Sequence, residues 1–239
     1  MRTYRFKEKY GSLINELIQD FEEQTNSKYI MGPDALCLLE LLCDKMKLAP
    51  GMRVLDMGCG TGFTSIILAK EYGVTVFAND LWFRATDNYK RFLKAGVQDL
   101  VVPIQAEAHS LPYASEFFDA AISIDAYHYF GTDECYFNNH YARLVKQGGQ
   151  FGIVSPALTR EFTGGLPEEL VPLWEPDMYT WHSADWWRMM WQKTNLVDVT
   201  CSEDIPNGKA LWRATADFEL HDADTENYLT LMLMTAVKR

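Results

Sequence analysis

VLDMGCGTG, residues 54–62, runs from strand-forming side chains into a turn carrying Gly58, Gly60 and Gly62, and TSIILAK at 64–70 follows as an apolar helix. A strand, a glycine turn and a helix in immediate succession open a βαβ unit. Gly58 and Gly60 keep side chains out of a ligand's path, and the helix N-terminus presents unpaired N–H groups to an anion such as a carboxylate. The next strand, VTVFAND at 74–80, ends on Asp80, at the distance where an acidic residue grips ribose hydroxyls. A dinucleotide fingerprint, GxGxxG, fails here because Phe63 occupies the third glycine position. No GK[ST] follows either, which excludes a P-loop. Asp56, just ahead of the turn, would repel a pyrophosphate and attract an ammonium group, directly or through water. A tight turn with a purely structural role is the alternative, and the pairing of Asp56 with Asp80 argues against it.

Outward from this unit the pattern repeats. Short apolar runs at 53–57, 74–79, 100–105, 119–124 and 150–155 alternate with amphipathic stretches at 62–70, 82–95 and 133–145. Strands spaced by helices predict an α/β fold with a doubly wound, mainly parallel sheet. Two helices are expected ahead of it, over 11–24 behind a Ser12 cap and over 33–46 from Pro33. Residues 156–182 hold Gly164, Gly165, Pro167, Pro172 and Pro176 and read as a lid insertion. A helix at 183–193 and strands at 196–201 and 228–238 complete the chain. One domain over 1–239 is expected: a helical cap to 49, a cofactor-binding core over 50–155, the lid and its helix over 156–195, and the final strands over 196–239.

Bulk composition narrows the partners. The chain carries 22 Lys and Arg against 33 Asp and Glu, a formal charge of -11, so its surface repels nucleic acid. LTLMLMTAV near the end is about half the roughly 20 residues a membrane helix needs. The five cysteines form no CxxC pair and are odd in number, which argues against a disulfide framework and a zinc site. With no signal peptide in MRTYRFKEKYGSL, a reducing cytoplasm is the expected location.

VLDMGCGTG, VFANDL, IQAEAHSLPY at 104–113, FFDAAISIDAYHYF at 117–130 and LVKQGGQFGIV at 144–154 together resemble the class I S-adenosylmethionine-dependent methyltransferases, specifically the broad group that includes the ubiquinone and menaquinone methylating enzymes. The resemblance covers residues 53–155 and implies a seven-stranded Rossmann-like sheet whose last strand is antiparallel. It implies that Asp80 holds the ribose, Leu81 packs on adenine, and Glu107 with the Ala108 backbone reads the adenine edge. Asp56, Gly58, Cys59 and Gly60 would surround the methionine moiety. Asp125 joins this set, although Ile124 and Asp125 stand where the group has small or apolar residues, and Glu107 replaces the usual aspartate.

Methyl transfer needs an acceptor lone pair aligned with the sulfonium methyl, so the enzyme chiefly positions its substrates and excludes water. The segment DAYHYFG at 125–131 follows a strand at the ligand-binding edge and is the natural wall for a small-molecule acceptor. His128 can take a proton or orient the acceptor, with Tyr127 and Tyr129 shaping the pocket, and a packed histidine is the alternative. NPPY and DPPY are absent, which weighs against nucleobase amines, and Asp125, Asp133 and Asn138 form no recognisable metal pattern. Tyr4, Phe6 and Tyr10, and separately Trp174, Tyr179 and Trp181, are candidates to fold over the cofactor, whereas Trp187, Met190 and Trp191 have the spacing of core residues. His109, His140, His182 and His221 have no motif around them. A cofactor-binding protein without transferase activity and a protein methyltransferase remain as alternatives. The acceptor atom and the oligomeric state are not encoded in these motifs.

Overall fold

The computed structural model describes residues 3–25, 32–213 and 218–239. Its centre is a seven-stranded sheet of order β3-β2-β1-β4-β5-β7-β6. The strands are β1 (Arg53–Met57), β2 (Thr75–Asp80), β3 (Val101–Gln105), β4 (Phe118–Ile124), β5 (Val145–Leu158), β6 (Val197–Asp204) and β7 (Leu229–Lys238). The first five run parallel, and β7 is antiparallel to both β5 and β6. Strand order reverses between β1 and β4, so the crevice at their carboxyl ends is the topological switch point where such sheets bind ligands. The expected seven-stranded, doubly wound sheet is the observed one.

Side-chain alternation explains why the sheet is covered on both faces. Along β7, Leu229, Leu231 and Leu233 enter one buried cluster while Met232, Met234 and Ala236 enter the other. The first cluster packs under α1 (Arg5–Thr25), α2 (Ala35–Cys43), α3 (Phe63–Tyr72) and α4 (Ala85–Lys94). The second packs under α6 (Ala184–Gln192), where Trp187, Met190 and Trp191 are buried as core residues, in keeping with their spacing.

Three local expectations are corrected. The first helix starts at Arg5 and runs through Ser12, because Phe6 and Tyr10 continue the buried stripe of Ile14 and Leu17. Phe6 lies edge-on to Tyr72 of α3, and its N–H donates to Glu40 of α2, so Phe6 and Tyr10 pack the helical layer and do not cover the ligand edge. In place of the helix expected over 133–145 there are a π-turn (Phe137–Tyr141) and a 3-10 turn (Ala142–Leu144), preceded by the one-turn α5 (His128–Gly131). Tyr136, Phe137 and Tyr141 are buried there, and Phe137 and Tyr141 meet Phe151. Finally, α7 (Gly208–Arg213) and α8 (Phe218–Ala223) lie in the link between β6 and β7, where no helix is expected from the sequence.

Candidate cofactor and acceptor site

The turn after β1 is held to the end of β2 by backbone. The N–H groups of Gly58 and Cys59 donate to the Asn79 carbonyl at 2.8 and 3.0 Å, and Asn79 Nδ2 donates to Ala106 O at 3.1 Å. Gly58 has φ +74°, and a Cβ there would lie 2.3 Å from the Ala126 Cβ. The glycine at 58 is therefore required by the close approach of the segment beyond β4, a protein neighbour in addition to any ligand. Gly60 is tied from both sides: its N–H donates to Asp80 Oδ2 at 2.8 Å and its carbonyl accepts from Asn88 Nδ2 at 2.9 Å.

Asp80 is a clamp. Besides Gly60, its carboxylate accepts the N–H groups of Trp82 and Phe83 on Oδ1 at 2.8 and 3.0 Å. Those contacts fix the turn and the exit from β2 relative to one another, and Oδ2 retains acceptor capacity for a further donor such as a hydroxyl. Leu81 and Trp82 then project outward with 51% and 65% of their surfaces exposed, an apolar shelf beside the carboxylate. Large exposed apolar side chains next to a buried carboxylate are the features that a nucleoside's flat base and sugar would cover.

Asp56 sits deeper, at the switch point. Thr64 and Ser65, in the first turn of α3, each donate to its Oδ2 at 2.6 Å, and its buried Oδ1 has no protein partner. Burial pushes the carboxyl up to about 6, against the two hydroxyl hydrogen bonds that favour its charged form and with Asp80 adding to the rise. An orphaned acceptor in this place fits an ammonium group or the water that bridges to one. The sign of the linkage follows from the raised value: the folded state binds more protons between 3.8 and about 6, so Asp56 costs stability as pH rises through that window. Asp56→Asn is therefore expected to stabilise the protein without added nucleoside above pH ~6, by at most about 3 kcal/mol or roughly 6–12 °C in Tm. The gain should vanish near pH ~4, where both side chains are neutral. Thermal melts at the two pH values check this, and equal gains at both would contradict it.

Cys59 is buried and its thiol is pushed well up by desolvation, which makes it a small packing residue. Glu107 is exposed and accepts from the backbone N–H and ring Nδ1 of His109 at 2.8 and 2.7 Å. Ala108 is buried, and its carbonyl accepts from Tyr136 Oη at 3.5 Å. Asp125 adopts φ +55°, and a Cβ on Gly32 would come within 1.8 Å of its Oδ2, so its carboxylate packs against the chain leading into α2.

Of the three expected acceptor-wall residues, only Tyr129 reaches the surface. Tyr127 is fully buried, and its hydroxyl accepts from Trp191 Nε1 at 3.2 Å, so it belongs to the core and not to a pocket. The His128 ring is 2% exposed, meets Ser155 Oγ through Nδ1 at 3.0 Å, and is pushed down to about 3 by burial. Its unfolded counterpart protonates near 6.5, so the unfolded state binds more protons between about 3 and 6.5 and stability falls as the pH drops through that window. His128→Asn, which can keep the Ser155 hydrogen bond, should flatten the acid limb of a Tm-against-pH curve, and an unchanged limb would count against a neutral buried ring. Tyr129 stands edge-on to Trp82, ring centroids 5.4 Å apart, and its hydroxyl donates to Asp177 Oδ2 at 3.4 Å.

Asp177 belongs to a 3-10 turn (Pro176–Thr180) in the expected lid. That segment is packed, with Leu170, Met178 and Trp181 buried in the first core cluster. Among the described residues no group of three His, Cys, Asp or Glu side chains is placed to hold a metal ion. Thr64, Ser65, Asn79 and Asn88 were not anticipated. For the first two a signal existed, since Thr64 and Ser65 open the helix eight and nine residues after Asp56.

Residues 55–153 match a family profile described as a methyltransferase domain. Over that stretch the chain is similar to a methyltransferase domain. Residues 17–79 also match the profile of protein-L-isoaspartate(D-aspartate) O-methyltransferase. Sterol methyltransferase-like 1 of Botryococcus braunii is 30% identical over 151 residues, which cover 58% of this chain and 38% of that protein. The chain thus spans about a third to two fifths of the length of the first sterol methyltransferase relatives it matches. Geranyl diphosphate C-methyltransferase from Streptomyces coelicolor, solved with Mg2+, geranyl diphosphate and S-adenosyl-L-homocysteine, shares the fold with a TM-score of 0.71 at 17% identity, covering 84% of this chain and 77% of that one. The [4+2]-cyclase SpnF superposes with a TM-score of 0.68 at 15% identity, over 95% of this chain and 94% of that one.

Proposed function

We propose that this protein is a class I S-adenosylmethionine-dependent methyltransferase, which binds S-adenosylmethionine across the switch point and transfers its methyl group to a small-molecule acceptor. The observation that carries the reading is the pairing of two buried carboxylates at adjacent strand ends. Asp80 holds the glycine turn beside an exposed Leu81–Trp82 shelf, while Asp56 keeps one unpartnered oxygen. Asp80 and the shelf would receive the nucleoside, and Asp56 would receive the amino-acid end. Once bound, the sulfonium supplies an electrophilic methyl. The chain's own residues supply placement, a dry edge and the removal of any proton released by the acceptor.

A buried, neutral His128 favours a second reading, cofactor binding without methyl transfer, because the segment after β4 offers no exposed imidazole. The fold does not choose between them, since it is shared with a protein described as a cyclase. Incubating the protein with methyl-labelled S-adenosylmethionine and a pooled metabolite extract decides the question. Label in a small molecule supports transfer, and cofactor binding with no labelled product supports the second reading. All five cysteines are free, which supports the proposal of a reducing compartment. Among the described residues no helix is long and apolar enough to cross a membrane.

A further inference from the structure

β1 lies between β2 and β4 in the sheet, so the glycine turn that ends β1 is flanked by Asp80 on one side and by the segment after β4 on the other. Both neighbours touch the turn. Asp80 accepts the Gly60 N–H at 2.8 Å, and the Ala126 Cβ stands 2.3 Å from where a Cβ on Gly58 would lie. Further out the two neighbours meet each other. Trp82, two residues beyond β2, and Tyr129, five beyond β4, have ring centroids 5.4 Å apart and an interplanar angle of 70°.

Strands two places apart in a sheet are separated by about 9.5 Å, so rings standing over their own strands would not touch. These two lean together across the carboxyl end of β1. The Tyr129 N–H also donates to the Ala126 carbonyl at 3.1 Å, and the Trp82 N–H donates to Asp80 Oδ1 at 2.8 Å. Turn, Asp80, Trp82, Tyr129 and Ala126 thus make a closed circuit of contacts, with the glycine turn on one side and the aromatic pair opposite it.

The two rings are held differently. Tyr129 is the fixed one: it follows the buried His128 in α5, and its hydroxyl donates to Asp177 Oδ2 at 3.4 Å. Asp177 is itself anchored, since its carbonyl accepts from Thr180 Oγ1 and its neighbour Met178 is buried. Trp82 is the movable one. Asp80 pins its backbone, yet its surface is 65% exposed, so the indole can turn about χ1 and χ2 without disturbing the glycine turn. An edge-to-face pair biases such a swing only about 2–10-fold, which favours the closed arrangement and still lets it open.

We infer that the Trp82 indole is a gate on the cofactor crevice: closed against Tyr129 it retains a bound nucleoside, and swung outward it admits or releases one. The inference rests on the reading of the glycine turn and Asp80 as the cofactor site. Leu81 supplies the fixed half of the exposed shelf and Trp82 its moving leaf. Tyr129 is the gatepost, and its bond to Asp177 makes the 156–182 insertion a support for that post. A gate of this kind slows entry and exit together, so affinity changes less than either rate.

Stopped-flow fluorescence of the full chain with S-adenosylhomocysteine separates the two rates. Tyr129→Ala keeps the indole and removes the post, so association and dissociation should both quicken about 2–10-fold while Kd stays within about threefold of wild type. Tyr129→Phe keeps the ring and loses only the bond to Asp177, and its rates should fall between those of wild type and Tyr129→Ala. A second measurement needs no ligand. In protein labelled with fluorotryptophan, the Trp82 fluorine resonance, identified by its loss in Trp82→Phe, should move in Tyr129→Ala because the neighbouring ring is gone. An association rate for Tyr129→Ala within about 1.5-fold of wild type, or an unmoved Trp82 resonance, overturns the gate and leaves the cofactor site standing. Calorimetric silence of the wild type toward S-adenosylhomocysteine removes the cofactor site and the gate with it.

Discussion

Asp80→Ala will raise the Kd for S-adenosylhomocysteine at least about 100-fold. Three backbone N–H groups, from Gly60, Trp82 and Phe83, converge on this one carboxylate. A hydrogen bond to a charged group is worth about 1.5–3 kcal/mol, and stranding the donors adds their desolvation cost. The variant therefore loses an acceptor for the sugar and also lets the glycine turn and the Leu81–Trp82 shelf drift apart. Asp80→Asn keeps an acceptor oxygen without the charge and should fall between the two. Calorimetry on variants shown to be folded by circular dichroism measures it, and an affinity within threefold of wild type for Asp80→Ala would be incompatible with the clamp.

The second large effect is on stability. Gly58→Ala will lower Tm by about 5–15 °C, because two costs coincide at one atom. A non-glycine residue in the left-handed region costs about 1–2 kcal/mol, and overpacking costs about 1–3 kcal/mol more. The Ala126 Cβ, 2.3 Å from where the new methyl would sit, is the obstacle. At about 2–4 °C per kcal/mol for a chain of this size, the sum of about 2–5 kcal/mol spans roughly 4–20 °C, and the stated range is its middle part. Adding Ala126→Gly should return the packing part and leave the backbone part, so the double variant melts between Gly58→Ala and wild type. Equal melting of the single and double variants would show that the close approach to the post-β4 segment is not what position 58 accommodates.

The architecture was legible where periodicity and local chemistry agree. VLDMGCGTG carries a strand, a turn and a candidate site residue within nine residues, and VFAND a strand that ends on another, so reading them required no tertiary information. The run at 133–145 misled because its aromatic residues, Tyr136, Phe137 and Tyr141, answer to Phe151 and Trp191 across the core, and that packing bends the chain through a π-turn. His128 looked like a pocket residue because it follows β4, yet facing Ser155 buries it. His182 had no motif around it because its partner, Glu161, is 21 residues away across an irregular insertion. Pairings of that kind depend on how the insertion folds back, which no local spacing records.

A glycine turn and Asp80 that receive a sulfonium nucleoside make the chain bind S-adenosylmethionine and not a dinucleotide. Isothermal titration of the purified chain with S-adenosylmethionine and, separately, with NAD tests it most directly. Saturable heat with the first and none with the second is the predicted result. Silence toward S-adenosylmethionine together with saturable binding of the dinucleotide would contradict it.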